Sequence, residues 1–275
     1  MGTIFYDGFE GSALNTDLWL AYDRIGDEAN SELQCMVSAN ISVSGSMFTG
    51  VAVHEDHVCG DTDTSPVTQH YTSFQAASRM LFQYPAGGSL VFTARAKMPG
   101  GVGNWPLTWM LSAAWQPSQP FNANTSASTG PDATWAEIDW VEYLFDNRTG
   151  VNCVIHAALN EGSDVKSLAV DASAQFIVYR LDWSAGQLIW SVDYEDGTGF
   201  HILKTLTNAG VPSTPMYLIL SNAIGGIGTN TPNPATFPQT YLLDWIQVVQ
   251  VGGNVKPKIG SPVVSGGPVS SARIL

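Results

Sequence analysis

The stretch TWAEIDWVEY, residues 134–143, carries three carboxylates, Glu137, Asp139 and Glu142, in an otherwise apolar and β-prone run. Burying ionised carboxylates is costly unless they are paired or put to use. Side chains alternate along a strand, so Glu137 and Asp139 share one face with Trp135, while Ile138 and Trp140 point to the other. Glu142 has the wrong parity for the acidic face. One bulge between Asp139 and Glu142 restores it, and bulges recur beside active sites because they re-aim a side chain. The spacing therefore predicts a bulged strand over 135–143 with three acids in a row.

At about 3.3 Å per residue, the two Glu Cα atoms stand roughly 13 Å apart, and side chains leaning together leave about 6 Å between carboxyls. That is near the separation of about 5 to 5.5 Å used by retaining glycosidases, with the inverting range of about 6.5 to 9.5 Å still open. Like charges about 5 Å apart at an effective dielectric of about 20 repel by roughly 3 kcal/mol, enough to keep one group protonated near neutral pH. An ionised and a protonated carboxyl side by side is what a nucleophile and a general acid require. A solvated face carrying acids by chance is the alternative, and Trp135, Trp140, Val141 and Tyr143 on its flanks argue against it.

Around this strand, the 275 residues are poor in Lys and rich in Gly, Ser, Thr, Trp and Tyr, with short β-branched and aromatic runs between turn residues. Ten strands are predicted, over 40–44, 47–53, 89–97, 106–112, 135–143, 151–157, 176–183, 187–193, 216–221 and 241–251. Many short strands without a repeat period indicate an all-β sandwich. Residues 1–252 read as one domain, and the Gly-, Pro- and Ser-rich 253–275 as a flexible tail or linker stub. The long polar stretch between Ser112 and Thr134 feeds directly into the acidic strand, and loops of that length are commonly functional.

A net charge of −13 with only 11 basic residues excludes nucleic acid as a natural partner and disfavours a strongly anionic polysaccharide. No membrane span or signal peptide is read from the chain, and a mature secreted protein acting as a monomer is expected. Cys35, Cys59 and Cys153 lack metal-type spacing, and a Cys35–Cys59 bridge and three buried thiols both remain open. The segment HEDHVC, residues 54–59, offers metal-type side chains without a full ligand set and reads as a solvated loop after a strand.

Read with its neighbours, the acidic strand resembles glycoside hydrolase family sixteen, the laminarinase, lichenase, agarase and carrageenase group. The similarity runs through most of residues 4–250. It is carried by FYDGFEGSALNTDLW near the start, NSELQ at 30–34, YTS at 71–73, ARAKMP at 94–99 and NWPLTWML at 104–111. Later matches are VYRLDW ending at Trp183, LILSNAIGG ending at Gly226 and LLDWIQVVQ ending at Gln250.

The resemblance implies a concanavalin-like jelly roll of two antiparallel sheets with a sugar cleft on the concave face. It implies Glu137 as nucleophile, Glu142 as acid/base, and Asp139 as the group that tunes the nucleophile. Asn30, Trp105, Trp109 and His156 match positions near the sugar, with a loop-bracing amide and a satisfied core histidine as the alternatives for Asn30 and His156. Trp135 is assigned to the cleft by its parity with Glu137, the family's own cleft tryptophan before the first Glu being lost or moved by three residues. Tryptophan suits the apolar C–H faces of pyranose rings. For Trp109, a place in the core is an equal alternative. Trp140, Trp183, Trp190 and Trp245 read as core or interface residues. No catalytic cofactor is expected, but Glu10 and Asp244 match the side-chain ligands of a structural calcium ion in the family.

Departures fall on the flanks. Ala136 precedes the first Glu where glycine is usual, Ile227-Gly228 follow the glycine pair where Asn-Trp is common, and Met36 replaces an aromatic. The reading is thus an endo-acting, retaining hydrolase of a neutral β-glucan containing β-1,3 or mixed β-1,3/1,4 bonds. Its alternatives are a non-catalytic glucan-binding lectin, and a transglycosylase or agarase on the same fold.

Overall fold

The structure, a computed structural model, describes residues 1–59, 66–112, 136–156, 163–208 and 210–253. The chain opens with β1 (Gly2–Asp7), β2 (Trp19–Ala21), β3 (Arg24–Ile25), β4 (Gln34–Met36), β5 (Ile41–Val43) and β6 (Phe48–Cys59). There follow β7 (Val67–Ser73), β8 (Gln75–Ser78), β9 (Gly88–Lys97), β10 (Asn104–Ser112), β11 (Glu137–Glu142) and β12 (Gly150–His156). The last third holds β13 (Val165–Ser167), β14 (Ile177–Ser184), β15 (Gln187–Asp193), β16 (His201–Thr207), β17 (Met216–Ile224) and β18 (Gln239–Gly252). Among the described residues, no helix is long and apolar enough to cross a membrane.

These strands form two sheets. One has seven strands in the order β13-β12-β11-β10-β17-β8-β2. The other has eleven, ordered β16-β15-β14-β9-β18-β6-β7-β4-β3, with β1 added to β18 and β5 to β6. Neighbours distant in sequence, such as β18 between β9 and β6, are the mark of a jelly roll. The pairings are antiparallel except for β4 against β7.

Alternation explains the core. In β9, Leu90, Phe92, Ala94 and Ala96 are buried between the sheets, while Val91, Thr93, Arg95 and Lys97 face outward. Trp140, Trp183 and Trp190 join Phe48 and Phe92 in the same cluster, as expected for those tryptophans. Each such large side chain contributes about 1.5 to 3 kcal/mol of burial. Trp245 is only half-buried.

β17 is buried on both faces. Leu218 and Leu220 enter the inter-sheet core, whereas Tyr217 and Ile219 pack on the outer face with Tyr22, Leu111 and Trp109. That outer face of the seven-stranded sheet is the one that carries the acids.

Among the described residues each of the ten predicted strands is represented, and eight others lie beside them. The segment HEDHVC is corrected from loop to strand: it completes β6, with an irregularity between His54 and His57 against β7. Pairing with β7 supplies the hydrogen bonds that its polar sequence does not advertise. Cys59, at its end, is bridged to Cys35 of β4, and Cys153 is a buried free thiol. The stretch 113–135, which includes Trp135, and the tail from 254 onward lie outside the described residues.

Candidate active site

The acidic strand is bulged where parity requires. On one side, Glu137 stands opposite His156, Asp139 opposite Val154 and Glu142 opposite Asn152, with the register slipping between Asp139 and Glu142. On the other side, Trp109 faces Asp139 and Thr108 faces Val141, so Trp140 is the additional residue. Trp140 and Val141 are consecutive, yet both enter the inter-sheet core together with Ile138 and Tyr143. Only a bulge allows that, and its result is that Glu142 returns to the face of Glu137 and Asp139.

The three acids differ in their surroundings. Asp139 is 1% exposed, and its Oδ2 lies 3.3 Å from His156 Nε2. Its Oδ1 is buried without a hydrogen-bond partner. Glu142 is nearly as buried, but both its oxygens are held: Oε1 accepts from Trp105 Nε1 at 2.8 Å and Oε2 from Asn152 Nδ2 at 2.5 Å. Asn152 is itself oriented, because its Oδ1 accepts the Asp164 N–H at 2.6 Å and the Ser163 hydroxyl at 3.2 Å. The amide therefore turns its donor side to Glu142.

All three acids hold their protons more tightly than ordinary carboxylates. Burial pushes Glu142 up to about 8, helped by the Asp139 charge and opposed by the hydrogen bonds from Asn152 and Trp105. Burial likewise raises Glu137 well above its usual range, with Asp139 adding and His156 opposing. Asp139 is raised by burial too, and His156 pulls it down through a hydrogen bond and its charge. Burial thus works against the ionised form of each acid, and the His156 imidazole beside Glu137 and Asp139 opposes that shift.

The other expected residues fall around this row. Trp105 forms a wall beside Glu142, and its indole packs with Leu107, Ala223, Leu144 and Trp109. Trp109 is half-buried on the outer face, its Nε1 donating to Ser221 Oγ at 3.0 Å, and so does not belong to the inter-sheet core. Asn30 ends a short 3-10 turn, Glu28–Asn30; its carbonyl accepts from Ile227 N and its Nδ2 donates to Glu32 at 3.3 Å. The neighbouring Asp27 acts on Glu137 electrostatically, which places this turn at the edge of the acidic row. Tyr217 and Arg24 lie on the same side, since Glu137 raises and Arg24 lowers the Tyr217 hydroxyl, whose shift is chiefly due to burial.

Asn152 was missed in the sequence. Its signal was there: it is four residues before His156, hence on the same strand face.

Two groups bear on metals. Glu10 and Asp244 both act on the Tyr6 hydroxyl, so they share one surface. Asp244 Oδ2, however, accepts from Arg95 Nη1 at 3.0 Å, and the same guanidinium is bound by Glu195. A cation already lies on one of the two acids, so this pair as it stands does not fit a calcium ion. At the acidic row, ligand atoms of Glu137, Asp139 and His156 lie within 4.8 Å of one another. A divalent ion there would occupy groups that the acid row needs for proton chemistry.

A jelly roll presenting buried, proton-holding carboxyls in a row on a tryptophan-walled face defines a glycoside hydrolase. The comparisons make it specific. The profile of glycosyl hydrolases family 16 matches residues 68–247, and the chain belongs to that family. A β-glucanase of Rhodothermus marinus is 26% identical over 265 residues, covering 89% of this chain and 84% of the relative. The glucan endo-1,3-β-glucosidase A1 of Niallia circulans is also 26% identical, over 90% of this chain and 38% of its own length. The endo-β-1,3-glucanase structure from Pyrococcus furiosus superposes with a TM-score of 0.72 at 25% identity, covering 90% of this chain and 94% of that one.

Proposed function

We propose that the protein is a retaining endo-β-glucanase whose substrate is a neutral glucan with β-1,3 or mixed β-1,3/1,4 bonds. In this reading Glu137 attacks C1 while Glu142 gives its proton to the departing glycosidic oxygen, so that the C1–O bond breaks as a glycosyl ester forms. Glu142, now a carboxylate, takes a proton from water, and the hydroxide attacks C1 and frees Glu137. Asp139, raised by burial and with its Oδ1 unpartnered, acts electrostatically on Glu137 and in this reading tunes its charge.

One observation carries the reading: Glu142 is buried, held by donors on both oxygens and raised to about 8, so at neutral pH it is an acid with a proton to give. The names of the relatives support the glucan, and the low count of basic residues supports a neutral one. The Cys35–Cys59 bridge supports an exported enzyme, since such bonds persist in oxidising compartments. Residues 1–252 constitute the catalytic domain in this proposal.

The test is a reducing-sugar assay on laminarin, lichenan, agarose and xyloglucan with wild type, Glu137→Gln and Glu142→Gln. Both variants should lose all but a trace of activity, and the first product seen by NMR should be the β-anomer. Undiminished turnover in either variant refutes the assignment, and binding without turnover in wild type makes the protein a lectin.

A further inference from the structure

We infer that Phe145, with Ile227 beside it, forms a platform for a glucosyl ring at an outer subsite, beyond the bond that is cut. This rests on the glucanase reading and adds a subsite to it. Phe145 follows β11 and adopts a left-handed backbone, φ 49°, as does Asp146 at φ 59°. Bulky L-residues avoid that region, and such conformations persist only where the surroundings impose them.

Here they do. The Phe145 N–H donates to the Gly228 carbonyl at 2.8 Å, and its own carbonyl accepts from Asn230 Nδ2 at 3.3 Å. Asp146 then ties three loops together, accepting from Gly103 N at 2.7 Å, Thr229 Oγ at 3.3 Å and Asn230 Nδ2 at 2.6 Å. The aromatic ring is nevertheless left largely in solvent, Phe145 being 57% exposed. Ile227, one residue from its backbone partner, is 64% exposed, and Leu33 and Val102 on the adjoining loops are exposed as well. A strained, rigidly held and solvent-facing phenylalanine is a poor structural choice and a good binding surface.

Its position is continuous with the site. Gly228 packs so closely on Trp105 that a Cβ there would come within 2.4 Å of the indole, and Trp105 donates to Glu142. Phe145 is three residues past Glu142, so the two Cα atoms lie within about 10 Å of each other, and its ring stands at the rim of the acidic row. A ring with apolar C–H faces and peripheral hydroxyls fits an exposed aromatic flanked by amide and hydroxyl groups.

The experiment compares wild type, Phe145→Gly and Phe145→Tyr by kcat/KM on laminarin and laminaritriose and by affinity electrophoresis in laminarin gels. Glycine accepts the left-handed backbone freely, so Phe145→Gly folds with an equal or higher Tm. The ratio of laminarin to laminaritriose kcat/KM should fall by about fivefold in Phe145→Gly, the size of one aromatic contact, with a matching loss of gel retardation. Phe145→Tyr should restore both. An unchanged ratio and unchanged retardation, in an active wild type, overturn the platform alone. A wild type that neither cleaves nor is retarded by laminarin overturns the glucanase reading and the platform with it.

Discussion

Glu142→Gln should make the protein more stable at neutral and alkaline pH and less stable in acid, and the size of the effect follows from the site. In the unfolded chain Glu142 releases its proton near the ordinary value of 4.5, whereas in the fold it does so only near 8. Between those values the fold holds a proton that the unfolded chain has lost. Stability from this group is therefore complete below about pH 4.5 and is lost as the pH rises through 8. The gap of about 3.5 pH units, at about 1.36 kcal/mol each, amounts to about 5 kcal/mol above pH 9 and about 3 kcal/mol at pH 7.

Glutamine is neutral throughout and escapes this loss. It has its own cost, because its NH2 must face a donor, either Trp105 Nε1 or the oriented Asn152 amide. One lost hydrogen bond costs about 1 to 2 kcal/mol at every pH. The two curves should cross at about pH 5.5, and at pH 7 the variant should lead by about 2 kcal/mol, or about 4 to 8 °C in Tm. Denaturation of both proteins at a series of pH values between 4 and 9 measures the difference directly. A difference that stays flat over that range, or a wild type that leads at pH 9, refutes the claim that the fold raises this carboxyl.

The same proton sets the rate. kcat should fall as the pH rises through about 8, where Glu142 loses its acid form, and Trp105→Phe should move that alkaline limb to higher pH by removing a donor to the ionised carboxyl. His156→Gln should move the acid limb of kcat/KM upward, since the imidazole favours the ionised forms of Glu137 and Asp139; an unmoved limb would exclude His156 from the proton network. Cys35→Ala with Cys59→Ala should lower stability by about 3 kcal/mol, the entropy of a closed loop with a separation of 24 residues, and denaturation midpoints of the oxidised wild type and the double variant measure it.

Legibility in the sequence followed what each element rests on. Strands 187–193 and 89–97 declare themselves because alternate side chains enter the core, and the structure places them at Gln187–Asp193 and Gly88–Lys97. β16, HILKTLT, was passed over because it is a largely exposed edge strand, and β3 and β4 because two or three residues carry no periodicity. Such pieces exist because a neighbour offers backbone hydrogen bonds, which no local pattern records. HEDHVC failed for the same reason: β7 makes it a strand. In the site, the acids can be read from parity; Asn152 shares a strand face with His156 in the sequence, but its role comes from standing opposite Glu142, which only the register of β11 and β12 supplies. Asp146, which clamps three loops, looks in the sequence like an ordinary turn residue.

The bulge shows how far the active site is a consequence of the core. Ile138, Trp140, Val141 and Tyr143 all demand burial, and regular alternation could satisfy Ile138 with Trp140 but not Val141. Doubling Trp140 and Val141 on one side is what brings Glu142 into line with Glu137 and Asp139. The acid is then fixed from outside by Trp105 and Asn152, on strands to either side. Removing apolar character at Val141 would weaken the reason for the bulge while leaving every acid in the sequence. Val141→Thr should thus lose activity beyond its loss of stability, because the core no longer insists on the register that the proton donor needs.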